Sequence, residues 1–591
     1  MSSTAKTSPS KPRKIRDVEH WDIETDVAIV GFGGAGGCAA IEAADAGSSV
    51  TIFEVASASG GSTAMSSAEI YMGGNGATRV QQACGFEDST EDMVTYMMMA
   101  AGPQADEAKI RNYCENSKDH FQWLVDIGVP FKDSFHKERA IMCLTDDGLL
   151  YTGSEKAYPF AQQAKPCPRG HNLYVEGDNG GPLFMKIVTE NVEQRDKITV
   201  EYETRALTLI VNEDDEVVGL VVRKDQQELN VRARQGVILC AGGFVMNEEM
   251  VRKYAPMLTR GNTPIGNPGD TGSGILMGMS VGAAAINMHE GFITVPYYPP
   301  ASMTKGIVIN DRGQRFINED VYHGRLGAFI LRQQSERFYF ILTVDQYGDY
   351  ERVSYMGSEV AGTGETVAEL EQELGLREGT LQQTIEVYNE DCVRGEDTQC
   401  HKAAEWLEPL QPPLVALDIT PGRGTFLPFF TLGGLDTLPT GEVVDPQRDV
   451  IPGLYAAGRT ACGVVRRAEG YSSGMSVGDA TFTGRLAGRQ VAGRKRGLNT
   501  CTPWCVHAIW MQHSSSIATN WGLSKSVATT AKQGGLRWFS SPHLTMSSAR
   551  SRARARWWRS PGTGIPRTTT AGAISATWRT ASTISTHYAN A

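Results

Sequence analysis

Thr25-Asp-Val-Ala-Ile-Val30 runs into Gly31-Phe-Gly33-Gly34-Ala35-Gly36, and Val50-Thr-Ile-Phe53 ends on Glu54. The first run is apolar after Asp26 without alternation, as strands buried on both faces are. Cys38–Ala46 is an alanine-rich helical stretch closed by Gly47, and Val50–Phe53 is a second buried strand. Together they predict one β-α-β unit of about 30 residues. G-x-G-x-x-G stands between its first strand and its helix. The first glycine makes the tight turn, the second lets the backbone approach a pyrophosphate, and the third lets helix and strand pack closely. The helix N-terminus then offers N–H groups and a positive dipole to phosphates. Glu54, 23 residues beyond Gly31, is placed to accept hydrogen bonds from ribose hydroxyls. The expectation is an α/β chain with a Rossmann-like dinucleotide-binding domain.

Three more segments point to FAD rather than NAD. Ser59-Gly60-Gly61-Ser62-Thr63 follows the acid with small residues and hydroxyls, suited to a second approach to a long cofactor. Ala241-Gly242-Gly243 ends the apolar run Val237–Cys240. Ala456-Ala457-Gly458-Arg459 ends another. Glycine turns from far-apart segments suit one extended ligand lying through the domain. The candidate cofactor residues are therefore Gly31, Gly33, Gly34, Ala35, Gly36, Glu54, Gly60, Gly61, Ser62, Thr63, Ala241, Gly242 and Gly458.

The rest of the chain divides by composition. Residues 1–21 are rich in Ser, Lys and Pro and predict a disordered leader without an apolar signal region. Residues 22–279 carry the first part of the FAD-binding domain. Within them, 89–128 has helical spacing. Residues 198–239 alternate as a β-meander, with Val237–Cys240 a further strand. Residues 280–424, with aromatic pairs, prolines and an acidic helical stretch around Glu365–Asp391, predict an inserted second domain. Residues 425–493 return to the FAD-binding domain and close on a helix over Met475–Val491. From Lys495 to the end there is no Asp or Glu, and seven of the ten tryptophans fall there. Residues 494–591 are expected to be a disordered or aberrant tail.

The formal net charge of −11 argues against a nucleic-acid partner for the body. No apolar run approaches the roughly 18 residues that span a bilayer. The eleven cysteines are scattered, and Cys501 and Cys505 lack neighbouring ligands, so no metal site is expected. The pattern fits a reducing cytoplasm.

Two further motifs carry a resemblance. Asn318-Glu-Asp-Val-Tyr322-His-Gly-Arg-Leu-Gly327 and Ala468-Glu-Gly-Tyr471-Ser-Ser473-Gly-Met-Ser-Val-Gly478-Asp479 resemble the fumarate reductase/succinate dehydrogenase flavoproteins. Within that group they look like 3-ketosteroid dehydrogenases, particularly the Δ4-(5α) type. Gly433-Gly434, Ile451–Thr460 and Pro168-Arg-Gly-His171 add general support. The resemblance implies that 280–424 is an α+β substrate-capping domain, that a steroid-like substrate lies between the two domains, and that electrons pass to an acceptor that the motifs do not identify. It implies that Tyr471 donates to the C3 ketone, that Ser473 takes the C4 proton beside the flavin, and that Tyr322 relays it outward. That assignment is chemically coherent. A C–H beside a ketone is acidified when its enolate oxygen is stabilised. A serine alone is a poor base and needs a relay.

Departures from the pattern also inform. Gly60-Gly61 is followed by Ser-Thr-Ala-Met, without the histidine of the covalent flavin branch, so noncovalent FAD is implied. Arg459 stands where the fumarate reductase branch carries Glu, which speaks against a small diacid. Three alternatives stay open at this level: reduction of an activated C=C bond, Δ1-desaturation, and an inactive flavin-binding protein.

Overall fold

The strand that opens the glycine turn, β1 (Ile23–Val30), sits in the middle of a nine-stranded sheet. Val27, Ala28, Ile29 and Val30 are all buried, because the sheet is covered on both faces there. The structure is a computed structural model that describes residues 11–494 apart from Met142 and Tyr355. These residues fall within one compact unit, Met1–Asn499. Residues 1–10 and 495–591, including the expected tail with Cys501 and Cys505, lie outside the described residues.

Helix α1 (Gly34–Asp45) follows β1, and β2 (Val50–Phe53) returns parallel to it. Strand β3 (Ile198–Glu201) adds in parallel beyond β2. On the other side of β1 lies the meander β4 (Arg205–Val211), β5 (Val217–Lys224) and β6 (Gln227–Leu239). The last strand of the meander and the further strand expected at Val237–Cys240 are one. The reason is a change of neighbour along β6. Gln227–Arg232 pairs antiparallel with β5, and Val237–Leu239 pairs parallel with β7 (Val450–Ala456), across a bulge between Ala233 and Gly236.

Two boundaries differ from expectation. Helix α1 begins at Gly34, four residues before Cys38, because the glycine pattern itself forms its first turn. The predicted leader is ordered over its second half. Arg13–Lys14 pairs with β4 as an edge strand, and Val18 and Trp21 pack against Leu207, Ile210 and Val221. Those apolar contacts outweigh the polar composition that suggested disorder.

The closing helix, α2 (Met475–Gly493), lies on α1. Gly484 and Gly488 make this possible. A Cβ at either would lie 2.3 Å from the carbonyl oxygen of Ala35 or Ala39. Between residues 307 and 418 the chain forms a separate antiparallel sheet of Ile307–Asn310, Phe338–Thr343, Leu414–Asp418 and Val360–Gly364, in that spatial order. Beneath it, fully buried Glu319 is held by Arg315 at 2.8 Å, Lys402 at 3.0 Å and the Val308 N–H at 2.9 Å. Burial pushes its carboxyl up, but Arg315 and Lys402 outweigh that and hold it below its ordinary value. The acid of Asn318-Glu-Asp thus anchors the turn that leads to Tyr322.

Candidate functional site

The glycine turn opens into a cavity of about 1460 Å³, its mouth included, lined by segments from Val30 to Ala480. Gly31 lies against the chain, where a Cβ would be 2.5 Å from the Cys240 carbonyl oxygen. At Gly33 a Cβ would meet no protein atom nearer than 3.7 Å, so the open side of the turn faces the cavity. Helix α1 has no side-chain cap. In its first turn the Gly34 N–H is taken by Thr63 Oγ1 at 3.1 Å and the Gly37 N–H by the Gly33 carbonyl at 3.0 Å. A cradle that leaves backbone donors facing a cavity fits a pyrophosphate.

Glu54 lines the same end. Its Oε2 accepts the Phe32 N–H at 2.7 Å and its Oε1 accepts the Ala56 N–H at 2.8 Å. The acid braces the glycine turn from the cavity wall. Farther along, Ser62 donates to Asp270 at 2.7 Å, and the Gly243 N–H donates to the same carboxylate at 3.0 Å. Arg459 pairs with Asp270 too and lies over the Phe430 ring. Among the described residues, no histidine lines this cavity.

Tyr471 and Ser473 line the cavity as well. Tyr471 is 8% exposed and packs against Phe292 and Phe430, with ring centroids 4.6 and 5.6 Å away. Its hydroxyl donates to Ser476 at 3.0 Å. Burial raises the phenol above its ordinary value, so it is a neutral donor at working pH. Ser473 donates to Glu69 Oε2 at 2.9 Å, and its N–H donates to the Thr152 carbonyl. Tyr322 does not line the cavity. It lies behind Tyr471, 6.2 Å between centroids, where its N–H donates to Ser154 at 2.9 Å. Burial holds its phenol well above its ordinary value.

Of the residues expected from sequence, Gly31, Gly33, Gly34, Ala35, Glu54, Gly61, Ser62, Thr63, Ala241, Gly242, Gly458, Tyr471 and Ser473 line the one cavity. Gly36 and Gly60 sit behind it. A Cβ at Gly36 would lie 2.0 Å from the Gly31 oxygen, and the Gly60 N–H donates to Phe32 at 2.8 Å. Pro168-Arg-Gly-His171 is structural: Arg169 is fully buried on Asp88 at 2.7 Å, and His171 bonds Thr78 at 2.7 Å. Sequence reasoning missed Glu69, Asp270, Phe430 and Ser476. No motif marks them, and Glu69 is 404 residues from its partner Ser473. One cluster outside the cavity brings His136, Cys143 and Asp147 ligand atoms within 4.8 Å of one another, where no metal was expected. Thr145 already hydrogen-bonds both the Cys143 thiol and the Asp147 carboxylate.

A family model for the FAD binding domain matches residues 26–474. The crystal structure of 3-ketosteroid-Δ4-(5α)-dehydrogenase from Rhodococcus jostii RHA1, in complex with 4-androstene-3,17-dione, is 42% identical. It superposes with a TM-score of 0.77, covering 82% of this chain and 99% of that one. A probable fumarate reductase of Shewanella frigidimarina is 28% identical over 479 residues, 79% of this chain and 75% of that protein. The 3-oxo-5-alpha-steroid 4-dehydrogenase of Comamonas testosteroni is 28% identical over 519 residues, 75% of this chain and 94% of that protein. The family match runs from before the Gly31 turn to beyond Ser473, through both ends of the cavity. The chain belongs to the FAD-binding-domain family of flavoproteins, in the superfamily that fumarate reductases share with 3-ketosteroid dehydrogenases, and FAD is its cofactor.

Proposed function

We propose that this chain desaturates a 3-ketosteroid between C4 and C5, beside its ketone. The observation that carries the reading is that Tyr471 and Ser473 line the same cavity as the glycine cradle. Tyr471, a neutral buried phenol, donates a hydrogen bond to the C3 ketone oxygen and stabilises the enolate that forms. Ser473 takes the proton from C4. Bound FAD, held by the Gly31–Gly36 turn, Glu54 and Ser62-Thr63, supplies the two-electron oxidant that receives the C5 hydride. Phe292 and Phe430 beside Tyr471 exclude water and suit a flat apolar substrate. The 42% identity to the Rhodococcus enzyme supports the same reading. The absence of histidine from the described cavity wall supports noncovalent flavin.

Reduction of a small diacid, the chemistry in the Shewanella relative's name, is disfavoured by charge. Arg459 is paired with Asp270, and Arg466 with Asp106 at 3.2 Å. Anaerobic mixing of the holoenzyme with a 5α-saturated 3-ketosteroid is expected to bleach the flavin, with the new double bond at C4–C5 by NMR. Tyr471→Phe is expected to slow bleaching by ~100-fold or more. If no 3-ketosteroid in a panel bleaches the flavin, the substrate assignment is wrong. A product unsaturated at C1–C2 would overturn the bond assignment alone.

A further inference from the structure

Glu69 is 2% exposed, lines the cavity and is the acceptor of the Ser473 hydroxyl. Its Oε1 accepts the Cys143 N–H at 3.1 Å, and its Oε2 also accepts from Ser67 Oγ at 3.1 Å. Among the described residues no Lys, Arg or His forms an ion pair with it. A buried carboxylate without a cation is costly, and one kept at the end of a cavity, on the hydroxyl that must lose a proton, is a candidate for chemistry. The alternative partner of Ser473 is the Tyr322 phenol. A neutral phenol can pass a proton on only by losing its own, whereas a carboxylate accepts one outright.

We propose that Glu69 is the proton acceptor behind Ser473, an inference that rests on the desaturation reading above. As the C4 proton moves to Ser473 Oγ, the serine's own proton moves to Glu69 Oε2. The electron pair of the broken C4–H bond becomes the new C4–C5 π bond. Both electrons of the oxidation leave with the C5 hydride to bound FAD. The carboxyl changes only its protonation. Glu69 acts through Ser473 and is in that sense a positioning residue for it.

The surroundings tune Glu69 for this. Burial pushes its carboxyl up to about 7, against smaller downward effects from Ser473, the Cys143 N–H and Ser67. The groups facing it are those two hydroxyls, the Cys143 thiol, the Tyr322 and Tyr471 phenols, and the Asp178 carboxyl, which raises it further. None is cationic. A base of that strength exchanges protons near neutrality, where general-base efficiency is greatest.

The test uses holoenzyme of wild type, Glu69→Gln and Glu69→Asp, matched for flavin content. Without substrate, infrared difference titration is expected to show a carboxyl protonating near neutral pH in wild type and missing in Glu69→Gln. With a 5α-saturated 3-ketosteroid under anaerobic conditions, the wild-type rate of flavin reduction is expected to rise with pH through about 7, as the acceptor ionises. Glu69→Gln is expected to lose that limb and slow by ~100-fold. Glu69→Asp is expected to keep a displaced limb and part of the rate. A Glu69→Gln rate within about threefold of wild type, or an unmoved limb, overturns the proposal. If Glu69→Gln does not hold flavin, Glu69→Asp decides: a displaced limb supports the proposal and an unmoved one overturns it. A Glu69 carboxyl that does not titrate across the neutral range overturns it whatever the substrate. A wild type that titrates there but is bleached by no steroid sinks the desaturation reading, and with it the acceptor role in that reaction.

Discussion

At the scale of single residues, Gly33 separates folding from binding. Its backbone is extended, with φ −93°, and a Cβ there would meet no protein atom nearer than 3.7 Å. A larger side chain at this position fits the fold and occupies the space left for the pyrophosphate. Gly33→Val is therefore expected to fold normally and weaken FAD binding by ~100-fold or more, about 2.7 kcal/mol. Flavin fluorescence titration of the apoprotein measures this, and an unchanged Kd would show that the cradle does not carry the cofactor. The role of Gly33 was legible in sequence because spacing alone defines the motif. Asp270 and Glu69 were not legible. Their importance comes from Arg459 and Ser473, side chains 189 and 404 residues away.

At the scale of elements, the packing of α2 on α1 depends on small residues and one buried charge cluster. Glu42 of α1, 9% exposed, is 2.7 Å from Arg485 and 2.6 Å from Arg489 of α2. Arg485 is itself buried and reaches His120 at 2.9 Å. Glu42→Ala leaves Arg485 buried without its carboxylate, and is expected to cost about 3–5 kcal/mol in urea unfolding. Replacing both partners, Glu42→Leu with Arg485→Met, is expected to restore most of the loss, since the desolvation penalty goes with the charges. A Glu42→Ala loss below about 1 kcal/mol would mean that the pair is screened like a surface bridge. Sequence periodicity found both helices, but it could not find their contact. It also split β6 in two, because a strand that changes partners midway looks like two strands with a polar joint.

At the scale of the whole molecule, the cavity wall is gathered from Val30–Ala35, Phe53–Val55, Gly61–Thr63, Thr204–Ala206, Cys240–Gly242, Ala457–Arg459 and the residues Tyr471, Ser473 and Gly474. A ligand that touches all of these binds only the folded chain. Added FAD is therefore expected to raise the unfolding free energy by RT ln(1 + [FAD]/Kd), about 2.7 kcal/mol at 100 times Kd. Thermal unfolding at several FAD concentrations checks this; a Tm independent of FAD would mean that the folded chain does not bind it preferentially. Among the described residues no helix is long and apolar enough to cross a membrane. Local spacing was enough to specify the β-α-β unit and the dinucleotide turn with its acid, whereas the Tyr471–Ser473 pair was marked only by the resemblance of its motif. The unit and the turn depend on neighbours within a few tens of residues, where backbone geometry follows from residue type. Tertiary structure alone decided that the two ends share one cavity, that Tyr322 stands behind it, and that Ser473 leans on Glu69. Contacts between residues hundreds apart depend on how elements pack, and no local pattern records that.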